Sequence, residues 1–353
     1  MDGLENKKIE TQIMTLYLVR MAIFTLSIVL INILTMLLIP NNMEAEYWVR
    51  ELIIIKRSIS QKINQPKIIL LGGSSTLFGI DAKKIERETN IPTVNLGLHA
   101  GLGLSYILNL GREVSKPNDL IILPLELNYY SCDQSALTSW QLNNYSAWDR
   151  EYFDSLPLKD RLRGAISDPL LYLRVIVAYI HRSISPSVNS ERRLALGKDS
   201  EILMRFNSGQ LKPDKFAYSA YNLDDRGDIL HTDGSFVGGN VANVLEPKSI
   251  CPETKLILSN FVDEMHKKNT KVIFSYPPYL IDGNSSKEWE KFDVQFKKEV
   301  QGIGAKLLSP RDMNFYPHNL FFNMNSHMNE AGREKNTLNL IRFLVEVNDL
   351  KPN

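Results

Sequence analysis

Cysteine is nearly absent from this chain: 353 residues hold only Cys132 and Cys251. Neither stands in the paired spacings that zinc and iron–sulfur sites use, so a metal-cluster protein is excluded. The two thiols are open to a single disulfide, if the compartment is oxidising, or to burial as isolated core residues. An excess of one charge sign is also missing, with 41 Lys plus Arg against 40 Asp plus Glu and a net charge of +1. That removes the basic footprint of a nucleic-acid partner. There are no internal repeats and no low-complexity tracts, which sets aside solenoids and disordered linkers. The length is enough for one large or two ordinary domains with a real core.

One long apolar run is present. Met21 to Ile39 carries no charge over about 19 residues, the length an α-helix needs to cross the hydrocarbon core of a bilayer. Lys7, Lys8 and Arg20 precede it, Pro40 and two asparagines end it, and no small-residue cleavage site follows, so it reads as an uncleaved signal anchor. Residues 1–20 are then a cytoplasmic terminus, 21–40 the transmembrane helix and 41–65 a juxtamembrane stalk with Trp48 near the interface. Arg50, Lys56, Arg57 and Lys62 on the far side nearly balance the positive-inside count. Placing the remaining chain outside rests on the order of one early span followed by a large domain. Asn32, in mid-span, pairs with a partner helix or bonds to its own backbone.

The rest is organised around Lys67-Ile-Ile-Leu-Leu-Gly-Gly-Ser-Ser-Thr-Leu-Phe-Gly-Ile-Asp81. Ile68 to Leu71 reads as a buried strand, and Gly72 and Gly73 as a turn whose backbone angles a side chain would forbid. Asp81 caps a helix over Ala82 to Glu88. A second strand, Thr93 to Leu98, runs into His99-Ala-Gly-Leu-Gly103 and a helix from Ser105 to Ser115; a third covers Asp119 to Leu127 with a proline inside it. This βαβα rhythm predicts a parallel α/β sheet. From about 131 to 250 the pattern loosens into an insertion, long enough to form a lid or subdomain beside the site. The rhythm returns with a helix at Pro252 to Lys268, a strand at Lys271 to Tyr276, a helix at Ser286 to Val300, a strand at Ala305 to Ser309 and a closing helix from Asn329 to about Val347.

Parallel sheets bind ligands at the carboxyl ends of their strands. A serine there needs a base to take its proton and donors to hold the oxyanion. Ser74 is the candidate nucleophile, with Ser75 a helix-start residue. His327, in the last loop, is the candidate base. The N–H groups of Ser74 and of the glycine loop after the second strand, with the Asn128 amide, are candidate donors. His99 reads as a satisfied structural histidine, Tyr276-Pro-Pro278 as a turn, and Glu126 as either a functional or a hydrogen-bonded carboxylate.

Gly72-Gly73-Ser74 followed by Gly79 resembles the first block of the SGNH (GDSL-like) hydrolases, with glycine in place of the aspartate. Asn95-Leu-Gly97 leading to Gly101 resembles the second block, Glu126-Leu-Asn128 the third at its asparagine only, and His327 the histidine of the fourth. The four occur in order from Gly72 to His327. The family acid three residues before the histidine is replaced by Met324, which leaves Asn323, Asn325 or Asp312 as candidate orienters of His327. The resemblance implies a flavodoxin-like three-layer parallel sheet, the SGNH hydrolase fold, over residues 66–350 with the insertion at about 131–250. It implies catalysis by Ser74 and His327 with Ser74, Gly101 and Asn128 at the oxyanion, and no metal or organic cofactor. It is strongest for the membrane-anchored extracytoplasmic branch, which includes polysaccharide O-acetyltransferases and the teichoic acid D-alanyl transfer protein. The expected function is a serine acyltransferase or esterase acting on a periplasmic or cell-surface glycan. The expected partners are that glycan or another acylated substrate, the membrane, and a membrane-bound O-acyltransferase. The alternative is a non-catalytic SGNH-like scaffold of a polysaccharide-modification machine.

Overall fold

The computed structural model describes residues 2–38, 45–132, 137–167, 197–237, 249–280, 287–308 and 314–348, with Val177 and Ile180. The chain forms two compact units, one of residues 1–46 and 136–192, the other of residues 47–135 and 193–353.

In the first unit, helix α1 (Asp2–Leu38) runs through the apolar segment without a break. Its stretch Ile9–Thr35 is long and apolar enough to cross a membrane, and little of it is covered by protein. The uncharged segment beginning at Met21 thus continues a helix that already includes Arg20. Asn32 is 1% exposed and so is shielded by the chain itself.

In the second unit, helix α2 (Tyr47–Lys62) occupies what reads as a stalk. It is instead an integral cover of the sheet. Val49, Leu52, Ile53, Ile55 and Ile59 are buried, and two of its charges go in with them. Glu51 accepts from Tyr221 Oη at 2.8 Å and Lys56 Nζ donates to Asn95 O at 2.8 Å. These distant partners offset part of the cost of burial, which still raises the Glu51 pKa and pushes the Lys56 pKa down to about 7.

Strand β1 (Ile68–Gly72) is an inner strand of the sheet, flanked in parallel register by β2 (Thr93–Gly97) and β3 (Leu120–Leu123). Helices α3 (Ser74–Gly79) and α4 (Ala82–Thr89) connect β1 to β2, and α5 (Gly103–Val114) connects β2 to β3. The cap at Asp81 is present, its Oδ1 accepting from Lys84 N at 2.7 Å, and Asn90 ends α4 in the left-handed region. β3 stops before Pro124, which has no N–H to extend a ladder.

The chain then leaves for α6 (Ser139–Trp148), α7 (Arg150–Ser155) and α8 (Leu158–Ser167), all in the first unit, where α1 packs on α6 and α8. It returns through α9 (Asp199–Ser208) and α10 (Pro252–Lys267) to β4 (Lys271–Phe274). Two pieces follow: β5 (Tyr279–Leu280) and α11 (Lys287–Gly302). β6 (Lys306–Leu307) then closes the sheet, in which all strand pairs are parallel and the order is β2-β1-β3-β4-β6. The order reverses between β1 and β3, the topological switch point where such sheets hold ligands. Period-two side chains give each face its own layer. Ile68, Leu70, Ile122 and Ile273 meet Leu340, Phe343 and Leu344 on one side. On the other, Gly111 of α5 rides on Leu71 and Phe261 of α10.

The remaining elements are β7 (Phe315–Tyr316), β8 (Phe321–Met324), β9 (His327–Met328) and α12 (Glu330–Asn348). β8 and β9 form a hairpin where the sequence reads as a loop. The two cysteines are joined as a disulfide, Cys132–Cys251, and Cys251 N donates to Tyr130 O at 2.8 Å. Both links tie the two ends of the insertion together at its root.

Candidate active site

β1 delivers the elbow. Gly72 and Gly73 are not among the glycines with positive φ, so backbone angle is not what demands them. Space is: a Cβ on Gly72 would strike Thr76 Oγ1, and one on Gly73 would strike the Glu126 carboxylate and come within 2.7 Å of Tyr129 Oη. That crowding is functional in form. Glu126 Oε2 accepts from Gly73 N at 3.3 Å and Oε1 from Ser75 N at 2.9 Å. One carboxylate therefore saturates the N–H groups on either side of Ser74, and the Ser74 N–H between them has no acceptor among the described residues. Burial raises the Glu126 pKa above the ordinary range, against the lowering effect of those N–H donors. The structure also separates the two serines. Ser75 is fully buried beside the Glu126 carboxylate, whereas Ser74 is half-buried and opens α3.

α3 is held from beneath by Asn95 of β2. Its Nδ2 donates to Thr76 O and Ile80 O, each at 3.1 Å, and to Asp228 Oδ1 at 3.0 Å. Gly97 lacks a side chain where Leu77 N comes down onto β2. Asn95 and Gly97, which resemble part of a catalytic block, here seat the helix that carries the serine.

His327 is 5% exposed. Phe78 lies four residues after Ser74, one turn along the same face of α3, and its ring stacks on the His327 ring at 4.0 Å and 3°. His327 is thus packed against the face of α3 that Phe78 shares with Ser74. Its orientation comes from the hairpin. Phe321 pairs with Met328 and Met324 with His327, so Phe322 and Asn323 have no residues opposite them. A regular register puts Asn323 and His327 on opposite faces; the irregularity re-aims Asn323 toward the ring. Asn323 Oδ1 lies 2.9 Å from His327 Nδ1, and Asn323 Nδ2 donates to Tyr218 Oη at 2.8 Å. Burial first, and the nearby His99 second, push the His327 pKa down to about 3, so the imidazole is neutral at physiological pH. Among the described residues neither Ser74 Oγ nor His327 Nε2 has a hydrogen-bond partner.

Of the candidate orienters, Asn323 makes the contact, Asn325 sits in the hairpin turn, and Asp312 lies outside the described residues. Met324, three residues before His327, is 50% exposed. The candidate oxyanion donors follow three adjacent strands: Ser74 after β1, Gly101 after β2 and Asn128 after β3. Gly101 N–H is engaged by His99 Nδ1 at 3.1 Å, and the His99 ring packs edge-on to Trp48 at 5.9 Å. Asn128 is exposed in a 3-10 turn, Leu127–Tyr130, and Tyr129 Oη donates to Ala100 O at 2.8 Å, tying that turn to the Gly101 loop.

Three aromatics escape a motif reading: Phe78, Trp48 and Tyr218. Only Phe78 leaves a signal, its four-residue spacing from Ser74. Among the described residues the one cluster with metal-ligand spacing is Cys132, Cys251 and Glu253, and its two sulfurs are spent in the disulfide. Comparison of the chain with known protein families, with curated proteins and with solved structures finds no match. The arrangement is chemically that of a hydroxyl nucleophile with a free N–H beside it and a neutral imidazole set by a neutral amide.

Proposed function

We propose that this protein is a membrane-tethered serine acyltransferase or esterase of the SGNH type that acts on an extracytoplasmic polysaccharide or other surface glycan. The observation that carries the reading is the isolated Ser74 N–H, left free while Glu126 holds its two neighbours, on the helix face that packs on a neutral histidine. Ser74 Oγ attacks the acyl carbonyl carbon while His327 Nε2 takes the hydroxyl proton. The tetrahedral oxyanion is held by Ser74 N–H and Asn128, and by Gly101 once His99 releases it. His327 returns the proton to the departing oxygen as the acyl-serine forms. A sugar hydroxyl or water, deprotonated by the same nitrogen, then takes the acyl group, and His327 returns that proton to Ser74 Oγ as the serine departs.

The apolar helix α1 supports a tether, which confines the enzyme to substrates and to a partner such as a membrane-bound O-acyltransferase. The disulfide supports an oxidising, extracytoplasmic side for the sheet-bearing unit. A second reading, a non-catalytic glycan-binding scaffold of the same machinery, is favoured by one observation: the residue orienting His327 is an amide and cannot stabilise an imidazolium as a carboxylate does.

The test is covalent labelling of the full-length protein in detergent with a fluorophosphonate, beside Ser74→Ala and His327→Ala. Labelling of the wild type that is lost in both variants supports the enzyme. Absence of labelling, or labelling that survives Ser74→Ala, refutes it.

A further inference from the structure

Asn323 is an ambivalent orienter. Its oxygen accepts and its nitrogen donates, so the two ways of turning the amide favour opposite tautomers of His327. With Oδ1 toward the ring, Nδ1 carries the proton and Nε2 is a free lone pair, able to take a proton from Ser74. With Nδ2 toward the ring, Nδ1 becomes the acceptor, Nε2 carries the proton, and the imidazole cannot act as a base. No backbone hydrogen bond fixes the amide among the described residues; its other end meets Tyr218 Oη at 2.8 Å.

We propose that Tyr218 is the positioning residue that anchors Asn323 in the orientation serving the base-competent tautomer of His327. Tyr218 comes from the insertion, whose returning segment lies on the site. Its ring packs on Trp48 at 5.7 Å, on Phe216 at 5.0 Å and on Phe78 at 6.4 Å, so the hydroxyl is held in place by three aromatic neighbours. In the base-competent arrangement Tyr218 Oη accepts from Asn323 Nδ2 and its own proton points elsewhere. The residue is 47% exposed, so that proton is available to solvent or to a hydroxyl-bearing substrate. Turning the phenol proton back onto Asn323 would reverse the amide and silence the base. The insertion thereby acts on the chemical step through one hydroxyl, without touching the serine. The functional consequence rests on the serine–histidine reading above; the hydrogen-bond chain does not.

The experiment uses the full-length protein in detergent and the variant Tyr218→Phe, which keeps the ring packing and removes the oxygen. Nitrogen-15 spectra of labelled histidine report which nitrogen of His327 is protonated. The Nδ1–H form is expected to dominate in the wild type, with the Nε2–H form rising severalfold in Tyr218→Phe. In parallel, Ser74 labelling by a fluorophosphonate is expected to slow by roughly tenfold in Tyr218→Phe, a misalignment effect. It should show no further slowing when Tyr218→Phe is added to Asn323→Ala, because coupled residues are not additive. An unchanged tautomer ratio in Tyr218→Phe, or full additivity with Asn323→Ala, overturns the proposal. If the wild type is not labelled at all, the esterase reading fails, and the tautomer ratio alone still decides the role of Tyr218.

Discussion

The substitution Asn323→Asp gives His327 a charged partner without altering the shape of the site. One oxygen of the new carboxylate accepts from His327 Nδ1, as the amide oxygen does at 2.9 Å, and the other accepts from Tyr218, whose hydroxyl turns to donate. For charge centres about 4 Å apart at an effective dielectric of about 20, the attraction is about 4 kcal/mol. That equals about three pKa units at about 1.4 kcal/mol each. Asn323 is half-buried, so water screens part of this, and opposite charges at such range move a pKa by about one to three units. The His327 pKa, now pushed down to about 3, should therefore rise to between about 4 and 6. In the proposed mechanism the transition state places positive charge on the ring, so the rate should rise too. The amide already holds the useful tautomer, which limits the gain to the order of tenfold, far below the loss seen when a triad acid is removed and the tautomer goes with it. Histidine titration by NMR and fluorophosphonate labelling rates measure the two effects separately. A raised pKa with an unchanged or slower labelling rate would show that no charge develops on His327, and the assignment of the base would fall.

The buried neutral His327 also makes stability depend on acid. Its folded pKa of about 3 lies below the ordinary 6.5, so the unfolded chain binds the extra proton, and stability is lost as pH falls from about 6.5 toward 3. Against His327→Gln, the wild type should lose roughly 5 kcal/mol across that window and nothing above pH 7; parallel unfolding curves for the two proteins would dismiss the buried histidine. The disulfide closes a sequence separation of 119 residues. Chain entropy assigns such a closure about 4–5 kcal/mol, so Cys132→Ala with Cys251→Ala should lower the midpoint of denaturant unfolding and expose the insertion to protease. A protease pattern identical to wild type counts against the pinned root.

What is legible in the sequence is what depends on near neighbours. The apolar run Ile68–Leu71, the cap at Asp81 and the glycine elbow are local statements that stand in the structure, and the third strand, read over Asp119 to Leu127, stands only as Leu120–Leu123. The reason for the elbow glycines is not local: they make room for Glu126, some fifty residues on. α2 reads as a stalk because Glu51 and Lys56 look like surface charges, and only Tyr221, 170 residues away, and Asn95, 39 away, reveal them as buried. Asn323 is one of three candidate orienters by sequence, but selecting it needs a hairpin register that no periodicity encodes. Tyr218, 105 residues from Asn323, leaves no trace in the sequence at all.

The irregular β8–β9 hairpin separates two adjustments that a serine site usually mixes. Asn323 and His327 lie four residues apart on one hairpin, so the amide partner of the ring is supplied by the same short peptide. The ring's seat comes from another contact, the Phe78 stack on α3, the helix that Ser74 opens. The amide partner and the seat of the ring are therefore supplied by different parts. Shortening Phe78 should loosen the seat while the Asn323 contact stays within the hairpin, and remodelling the hairpin turn should disturb the amide contact while the stack remains.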